Sequence, residues 1–145
     1  MKIFLTFGVI IIVTLIFGFF VLSGKTTESS NAAEVTSIGP FSHLTPKQFS
    51  QEVTTGKYTL IDVRTMDEFN AGHIKNAKQA DYYETQKFSD YLDKLDKKAS
   101  YLIYCRSGHR SGEALKIMQS KGFHSANDIA GGYNAWIADG LPIEK

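Results

Sequence analysis

The chain has 145 residues, a length that suits one domain with a short appendage rather than two domains. Hydrophobic residues make up 43% and charged residues 21%, which is typical of a globular protein and excludes a largely disordered chain. The formal net charge is +1, from 16 basic and 15 acidic residues, so the composition lacks the basic excess of nucleic-acid-binding proteins and predicts no nucleic-acid partner.

The amino-terminal region carries an uncharged run, residues 3–22, rich in Ile, Val, Leu and Phe. At about 1.5 Å per residue, a helix of this length can cross a hydrocarbon core of about 30 Å. Signal peptides have shorter apolar runs, and the best cleavage site, Ser30–Ala32, lies well beyond the end of this one. Residues 1–24 are therefore predicted to be a transmembrane anchor or a signal segment. The sequence favours an uncleaved anchor over a signal peptide that is removed.

The charges around this segment bear on its orientation. Lys2 precedes the run, while Lys25 follows it with Glu28 and Glu34 nearby. This bias favours an amino terminus inside and a domain outside the membrane. We expect a membrane-anchored protein whose domain is extracytoplasmic, or an exported protein if the segment is cleaved.

A polar linker is predicted at residues 25–42, and an α/β domain with a central parallel sheet at residues 43–145, where apolar runs alternate with amphipathic stretches. Thr45 and Pro46 predict the start of a first helix and Gly56 its end. Further helices are predicted from apolar spacing at about residues 84–95, 111–121 and 133–138. Buried strands are predicted from apolar and β-branched runs at residues 58–63, 101–104 and 126–130.

Cysteine usage limits the chemistry of the domain. Cys105 is the only cysteine, which excludes an intramolecular disulfide and any zinc site built on two or more thiolates. The four histidines have no paired ligand spacing: His43, His73, His109 and His124. No metal site is predicted.

The segment after the strand at residues 101–104 has the features of a reactive site. Cys105 stands at the carboxyl end of this strand, where open α/β sheets bind their ligands. Gly108 permits unusual backbone angles, so backbone N–H groups can curl around the sulfur, and the following helix adds its positive end. The stretch of residues 97–112 contains no acid and four basic residues, Lys97, Lys98, Arg106 and Arg110. Because a helix amino terminus and nearby arginines favour a thiolate, Cys105 is predicted to be a nucleophile.

Three groups of residues together resemble the rhodanese domain, over residues 44–145. They are Asp62-Val63-Arg64 with Glu68-Phe69 and Gly72-His73-Ile74, the loop Cys105-Arg106-Ser107-Gly108-His109-Arg110-Ser111, and Gly131-Gly132 with Trp136. The resemblance implies a rhodanese-like fold, a central parallel sheet flanked by helices. One departure is Asn76, which stands where the family more usually has a Gly, although Asn also tolerates a left-handed backbone.

The resemblance also implies an activity, transfer of sulfane sulfur. Cys105 would be catalytic, taking sulfur from thiosulfate or a polysulfide as a persulfide and passing it to cyanide or a thiol, with no cofactor. The remaining loop residues would bind the substrate: Arg106, Ser107, Gly108, His109, Arg110 and Ser111. Arginines at positions 106 and 110 suit an oxyanion, and Ser111 could either donate a hydrogen bond or cap the helix.

Other residues are expected to support the site. Asp62 and Arg64 are expected to form a structural pair beneath the loop, and His73 to be a hydrogen-bonded structural histidine. Glu68 is expected to be a surface or supporting residue.

Other functions stay open. A persulfide carrier or sulfur-binding module would exchange sulfur with a protein donor or acceptor, and an interaction module would bind an anion without transfer. A phosphatase or arsenate reductase is less favoured, because four residues separate Cys105 from Arg110, one fewer than in Cys-x5-Arg phosphatase loops. The shorter ring suits one added sulfur atom better than a tetrahedral phosphate.

Overall fold

The structure is a computed structural model and describes residues 38–145. The predicted membrane segment, residues 1–24, and most of the predicted linker lie outside the described residues. Within residues 38–145, every helix is too short or too polar to span a membrane.

Five parallel strands and five helices form the domain, which confirms the predicted α/β class with a central parallel sheet. The strands are β1 (His43–Leu44), β2 (Thr59–Asp62), β3 (Lys78–Gln79), β4 (Ser100–Tyr104) and β5 (Ser125–Ile129), in the spatial order β1-β5-β4-β2-β3. The helices are α1 (Pro46–Thr55), α2 (Met66–Ala71), α3 (Thr85–Asp93), α4 (His109–Ser120) and α5 (Gly132–Ala138). Strand β4 is therefore the central strand of the sheet.

Hydrophobic side chains fill both faces of the sheet. Because successive side chains of a strand point to opposite faces, Ile103 packs in one cluster with Met118 of α4, while Leu102 packs in another with Phe49 of α1 and Trp136 of α5. This two-sided burial explains why β4 is a continuous apolar run in the sequence.

The local signals in the sequence have clear counterparts in the structure. Thr45 caps α1, its side chain accepting from the backbone N–H of Gln48, and Gly56 ends the helix at a φ of 66°. Asn76 adopts the left-handed conformation, with a φ of 64°. The turn at the departure from the family pattern is thus formed with Asn.

The sequence patterns missed three short elements and the start of one helix. Strands β1 and β3 have two residues each, too few for an alternating or apolar run to register. Helix α2 has six residues, too few for an apolar periodicity, and its sequence signal is the capping box between Thr65 and Glu68. Helix α4 begins at His109 rather than Ser111.

The domain also begins earlier than the predicted boundary at residue 43. The carbonyls of Pro40 and Ser42 accept hydrogen bonds from Ala126 and Asp128 of β5, at 2.9 and 3.0 Å. These backbone contacts extend the β1 edge, so residues 40–42 pack as part of the domain rather than as linker.

Candidate active site

Cys105 lies directly after β4, at the amino-terminal end of α4. The residue is 1% exposed, and its Sγ accepts a hydrogen bond from the backbone N–H of Gly108 at 3.1 Å. Gly108 has a φ of 96° and is the N-cap of α4, so the predicted curl of the loop is formed at this glycine. The sulfur therefore faces both a backbone donor and the positive end of a 12-residue helix.

Helix α5 holds the loop from the other side. The backbone N–H groups of Tyr133 and Asn134 donate to the carbonyls of Cys105 and Arg106, at 2.7 and 3.0 Å. A side chain at Gly132 has no room, because a Cβ there would lie 2.6 Å from the Cys105 carbonyl oxygen. The close approach of two backbone segments thus requires glycine at position 132.

Replacing Gly132 by alanine should destabilise the domain by about 2 to 4 kcal/mol, because a left-handed φ of 63° is combined with a backbone clash. Urea unfolding of the full chain in mild detergent measures this loss. Gly56→Ala is the matched control, since Gly56 has a φ of 66° with nothing within 4 Å of the added methyl group. That variant should lose only about 1 kcal/mol. Equal losses in the two variants would show that the approach to Cys105 imposes no cost.

Arg110 is engaged by a residue from another part of the chain. Its two terminal nitrogens donate to the two carboxylate oxygens of Glu68 at 2.8 and 2.9 Å, and its guanidinium lies 5.1 Å from the ring centroid of Tyr83. Arg110 lowers the pKa of Glu68 to about 2, and Glu68 raises that of Arg110. The stretch 97–112 is acid-free along the sequence, but in the fold Glu68 balances one of its charges.

Replacing Glu68 by glutamine should cost about 1 to 2 kcal/mol of stability at pH 7 through loss of this two-hydrogen-bond pair. Because the folded state lowers the pKa of Glu68 from 4.5 to about 2, the pair contributes fully above pH 4.5 and its contribution disappears as the pH falls toward 2. Urea unfolding at both pH values tests this. Glu84→Gln removes an exposed pair with Lys87 and should change stability little at either pH. A Glu68→Gln loss that persists undiminished at pH 2 would contradict the expectation.

The other polar residues predicted in the loop point in different directions. Arg106 is exposed and lines a cavity of about 210 Å³ together with Arg64 and Tyr133. Ser107 is exposed, and His109 is also exposed, beside His43 at a cavity of about 380 Å³. Arg106 and His109 thus line two different cavities.

Ser111 is not the helix cap, because Gly108 takes that position and Ser111 lies in the first turn of α4. Its buried hydroxyl lies 2.9 Å from Oδ2 of Asp128, 3.1 Å from the Gly108 carbonyl and 3.6 Å from the Cys105 sulfur. Asp128 was not among the predicted site residues. The available signal was an acid inside the predicted strand at residues 126–130, where burial demands a partner.

Asp62 and Arg64 form a buried pair beneath this region. The Arg64 Nη2 donates to Asp62 at 2.6 Å and to the Gly72 carbonyl at 2.8 Å. The guanidinium also lies 3.9 Å from the ring centroid of Tyr133, whose N–H holds the Cys105 carbonyl. The pair thus supports the loop through α5.

The side chain of His73 packs against the carboxyl end of α2. Its ring stacks on Phe69 with centroids 3.9 Å apart, and Nδ1 lies 3.2 Å from the Phe69 carbonyl oxygen. The backbone of His73 exchanges two hydrogen bonds with Glu144, both at 2.8 Å. These contacts make His73 a structural residue that ties α2 to the carboxyl-terminal segment.

A comparison with models of known protein families identifies the family of this chain. The family model of the Rhodanese-like domain matches residues 45–139, which include the Cys105 loop and the helices α4 and α5. The chain belongs to the rhodanese-like domain family. The fold agrees, since a crystal structure of a rhodanese-like domain protein from Staphylococcus aureus is similar with a TM-score of 0.60 and 30% identity, covering 72% of this chain and 98% of that one.

Curated relatives carry several names. Rhodanese-like domain-containing protein 17 of Arabidopsis thaliana is 33% identical over 106 residues, or 66% of this chain and 68% of its own length. The chloroplastic thiosulfate sulfurtransferase 16 of the same plant is 34% identical over 93 residues, 58% of this chain and 78% of the relative. A tRNA uridine(34) hydroxylase of Chlamydia trachomatis is 28% identical over 99 residues, 65% of this chain and only 30% of that protein. Rhodanese relatives thus include sulfurtransferases and proteins with other named activities.

Proposed function

We propose that the protein is a sulfurtransferase that carries sulfane sulfur on Cys105. The observation that supports this most is the position of the chain's only thiol, with Sγ 3.1 Å from the N–H of Gly108 at the amino end of α4. A backbone donor and a helix amino terminus both favour the thiolate, which is the nucleophilic form of cysteine. Relatives named as sulfurtransferases make this reaction the first to test.

The proposed reaction has two displacement steps. The Cys105 thiolate attacks the outer sulfur of thiosulfate, the S–S bond of thiosulfate breaks, and sulfite leaves with the bonding electron pair. The product is a Cys105 persulfide. Cyanide or a thiolate then attacks the terminal sulfur, and the electron pair of the persulfide bond returns to Sγ. Neither step needs a cofactor, because the thiolate is regenerated.

The loop residues would differ in how they interact with the negative charge of the donor anion. Arg106 is exposed at one opening and would attract the incoming anion, while Arg110, tied to Glu68, would contribute less free charge. The N–H of Gly108 would continue to donate to Sγ, or to the persulfide sulfur, during the reaction. Donor selection is therefore expected to depend more on Arg106 than on Arg110.

The first experiment is the intact mass of the full chain, in mild detergent, before and after thiosulfate and then after cyanide. The expected result is a gain of one sulfur atom from thiosulfate and its removal by cyanide. If neither thiosulfate nor a polysulfide adds sulfur, the proposed small-molecule sulfurtransferase is wrong.

A persulfide carrier that works with a protein partner is the second candidate. One observation favours it: Glu68 neutralises Arg110 of the loop, which weakens the local attraction for a small dianion such as thiosulfate. The two candidates differ in turnover. Rapid thiocyanate formation from thiosulfate and cyanide without a partner favours the enzyme, while sulfur loading without repeated turnover favours the carrier.

We further propose that residues 3–22 anchor the domain at a membrane, with the domain extracytoplasmic, or that the protein is exported if the segment is cleaved. The support is the uncharged apolar run and the position of Lys2 before it. Protease and a membrane-impermeant surface label, added to intact cells, test the orientation. Full protection of the domain from both reagents would contradict it.

A further inference from the structure

A buried carboxylate is connected to the candidate nucleophile through the hydroxyl of Ser111. Asp128 of β5 is 1% exposed, and its two oxygens have different partners. Oδ2 accepts from the Ser111 hydroxyl at 2.9 Å, and Oδ1 lies 2.5 Å from Nδ1 of His43, an exposed residue on the edge strand β1. A chain of contacts therefore runs from the surface at His43, through Asp128 and Ser111, to the sulfur of Cys105.

Ser111 is the point where this chain can act on the sulfur. A hydroxyl has one proton to donate, and three acceptors surround Oγ of Ser111: Asp128 at 2.9 Å, the Gly108 carbonyl at 3.1 Å and Cys105 Sγ at 3.6 Å. A carboxylate is the strongest acceptor of the three and is also the nearest. While Asp128 is ionised, the proton of Ser111 therefore points to Asp128 and not to the sulfur.

We propose that Asp128 is a positioning residue for Cys105, which withholds the Ser111 hydroxyl proton from the sulfur when its carboxylate is ionised and releases it when protonated. A protonated Asp128 would donate to Oγ of Ser111, and the hydroxyl would then be free to donate to the Cys105 thiolate or persulfide. The inference rests on Cys105 being the reacting group of the proposed function. It adds a control on the sulfur that is separate from the charges of Arg106 and Arg110.

The surroundings of Asp128 are consistent with a change of protonation. Burial raises the pKa of Asp128, while the hydrogen bonds from Ser111 and His43 act against this rise. The titratable or charged groups on this side of the sheet are His43 on β1, Tyr101 on β4, Cys105 after β4, and His109, Arg110, Glu113 and Lys116 on α4. Among these groups, His43 contacts the Asp128 carboxylate, whereas Arg110 forms an ion pair with Glu68.

The test is the rate of Cys105 alkylation by iodoacetamide against pH, measured by intact mass on the full chain in mild detergent. Since the chain has one cysteine, alkylation of a thiol reports on Cys105 alone. The Asp128→Asn variant keeps the shape but removes the charge, and its amide can donate to Ser111. We expect the midpoint of the alkylation curve to move to lower pH by about 0.5 to 1 unit. A purely structural loosening would multiply the rate at every pH and leave the midpoint in place.

A double variant separates the hydrogen bond from the charge. In a Ser111→Ala background the Asp128→Asn shift should fall to less than half, because the hydroxyl that carries the effect is gone. Asp139→Asn, an exposed change elsewhere, is the control and should not move the midpoint. If Asp128→Asn unfolds the domain, Asp128→Ser also removes the charge and should shift the midpoint in the same direction.

Three outcomes would overturn the proposal. They are an unchanged midpoint in a folded Asp128 variant, a shift to higher pH, or a shift of undiminished size without the Ser111 hydroxyl. Because alkylation needs no sulfur donor, these results are independent of whether the protein accepts sulfur from thiosulfate. Failure of the proposed role of Asp128 and failure of the proposed sulfurtransferase are thus distinguishable.

Discussion

Replacing Cys105 by serine is expected to abolish sulfur uptake from thiosulfate. The serine hydroxyl fits the same space but is un-ionised near neutral pH, and it cannot form the S–S bond that holds the transferred atom. The intact mass of Cys105→Ser should stay unchanged after thiosulfate, while wild type gains one sulfur. Thiocyanate formation should fall by roughly 10³-fold or more, as when other enzymes lose their nucleophile.

The interpretation depends on the variant keeping its fold. Oxygen replaces a sulfur that accepts from the Gly108 N–H, so the hydrogen bond can persist and the urea midpoint should stay close to that of wild type. Because no other residue of the chain has a thiol, sulfur gained by a folded Cys105→Ser would have to be held by another kind of group. Such a gain would contradict the assignment of Cys105 as the sulfur carrier.

The position of Cys105 could be predicted because the signals that define it are local. Strand β4 is covered on both faces, so it appears in the sequence as a continuous apolar run that ends at Cys105. Gly108 marks the turn directly after it, and the following amphipathic pattern marks α4. Each of these features depends on residues within one strand, one turn or one helix.

The charges around the sulfur could not be predicted in the same way, because they arrive through contacts between distant residues. Glu68 reaches Arg110 across 42 positions, and Asp128 reaches Ser111 across 17. Strand β5 pairs with β4 in parallel and in a fixed register. This register determines that Asp128 is the β5 side chain that contacts Ser111 of α4. Since two-residue edge strands such as β1 have no periodicity, nothing in the sequence pattern placed His43 next to Asp128 either.

Replacing Arg64 by methionine is expected to have the largest effect on stability, about 3 to 5 kcal/mol, because it leaves Asp62 as an uncompensated buried carboxylate. Asp62 is 0% exposed, and the Arg64 side chain donates to its carboxylate through Nε and Nη2, whereas the hydrogen bond from the backbone N–H of residue 64 would remain in the variant. Methionine fills similar volume, so the loss reports on charge and hydrogen bonds more than on packing. Urea unfolding of the full chain in mild detergent measures it.

Two further variants show whether the loss comes from the buried pair. Lys75→Met breaks an exposed ion pair with Glu144 and should change stability by no more than about 0.5 kcal/mol. Asp62→Asn combined with Arg64→Met should recover part of the loss, because no isolated charge is left in the core. If Arg64→Met costs no more than Lys75→Met, the pair does not support the domain. The guanidinium of Arg64 lies against Tyr133, whose N–H donates to the Cys105 carbonyl, so a role in shaping the loop is also tested. If the loss of stability is large but the folded fraction takes up sulfur normally, Arg64 stabilises the domain without shaping the loop.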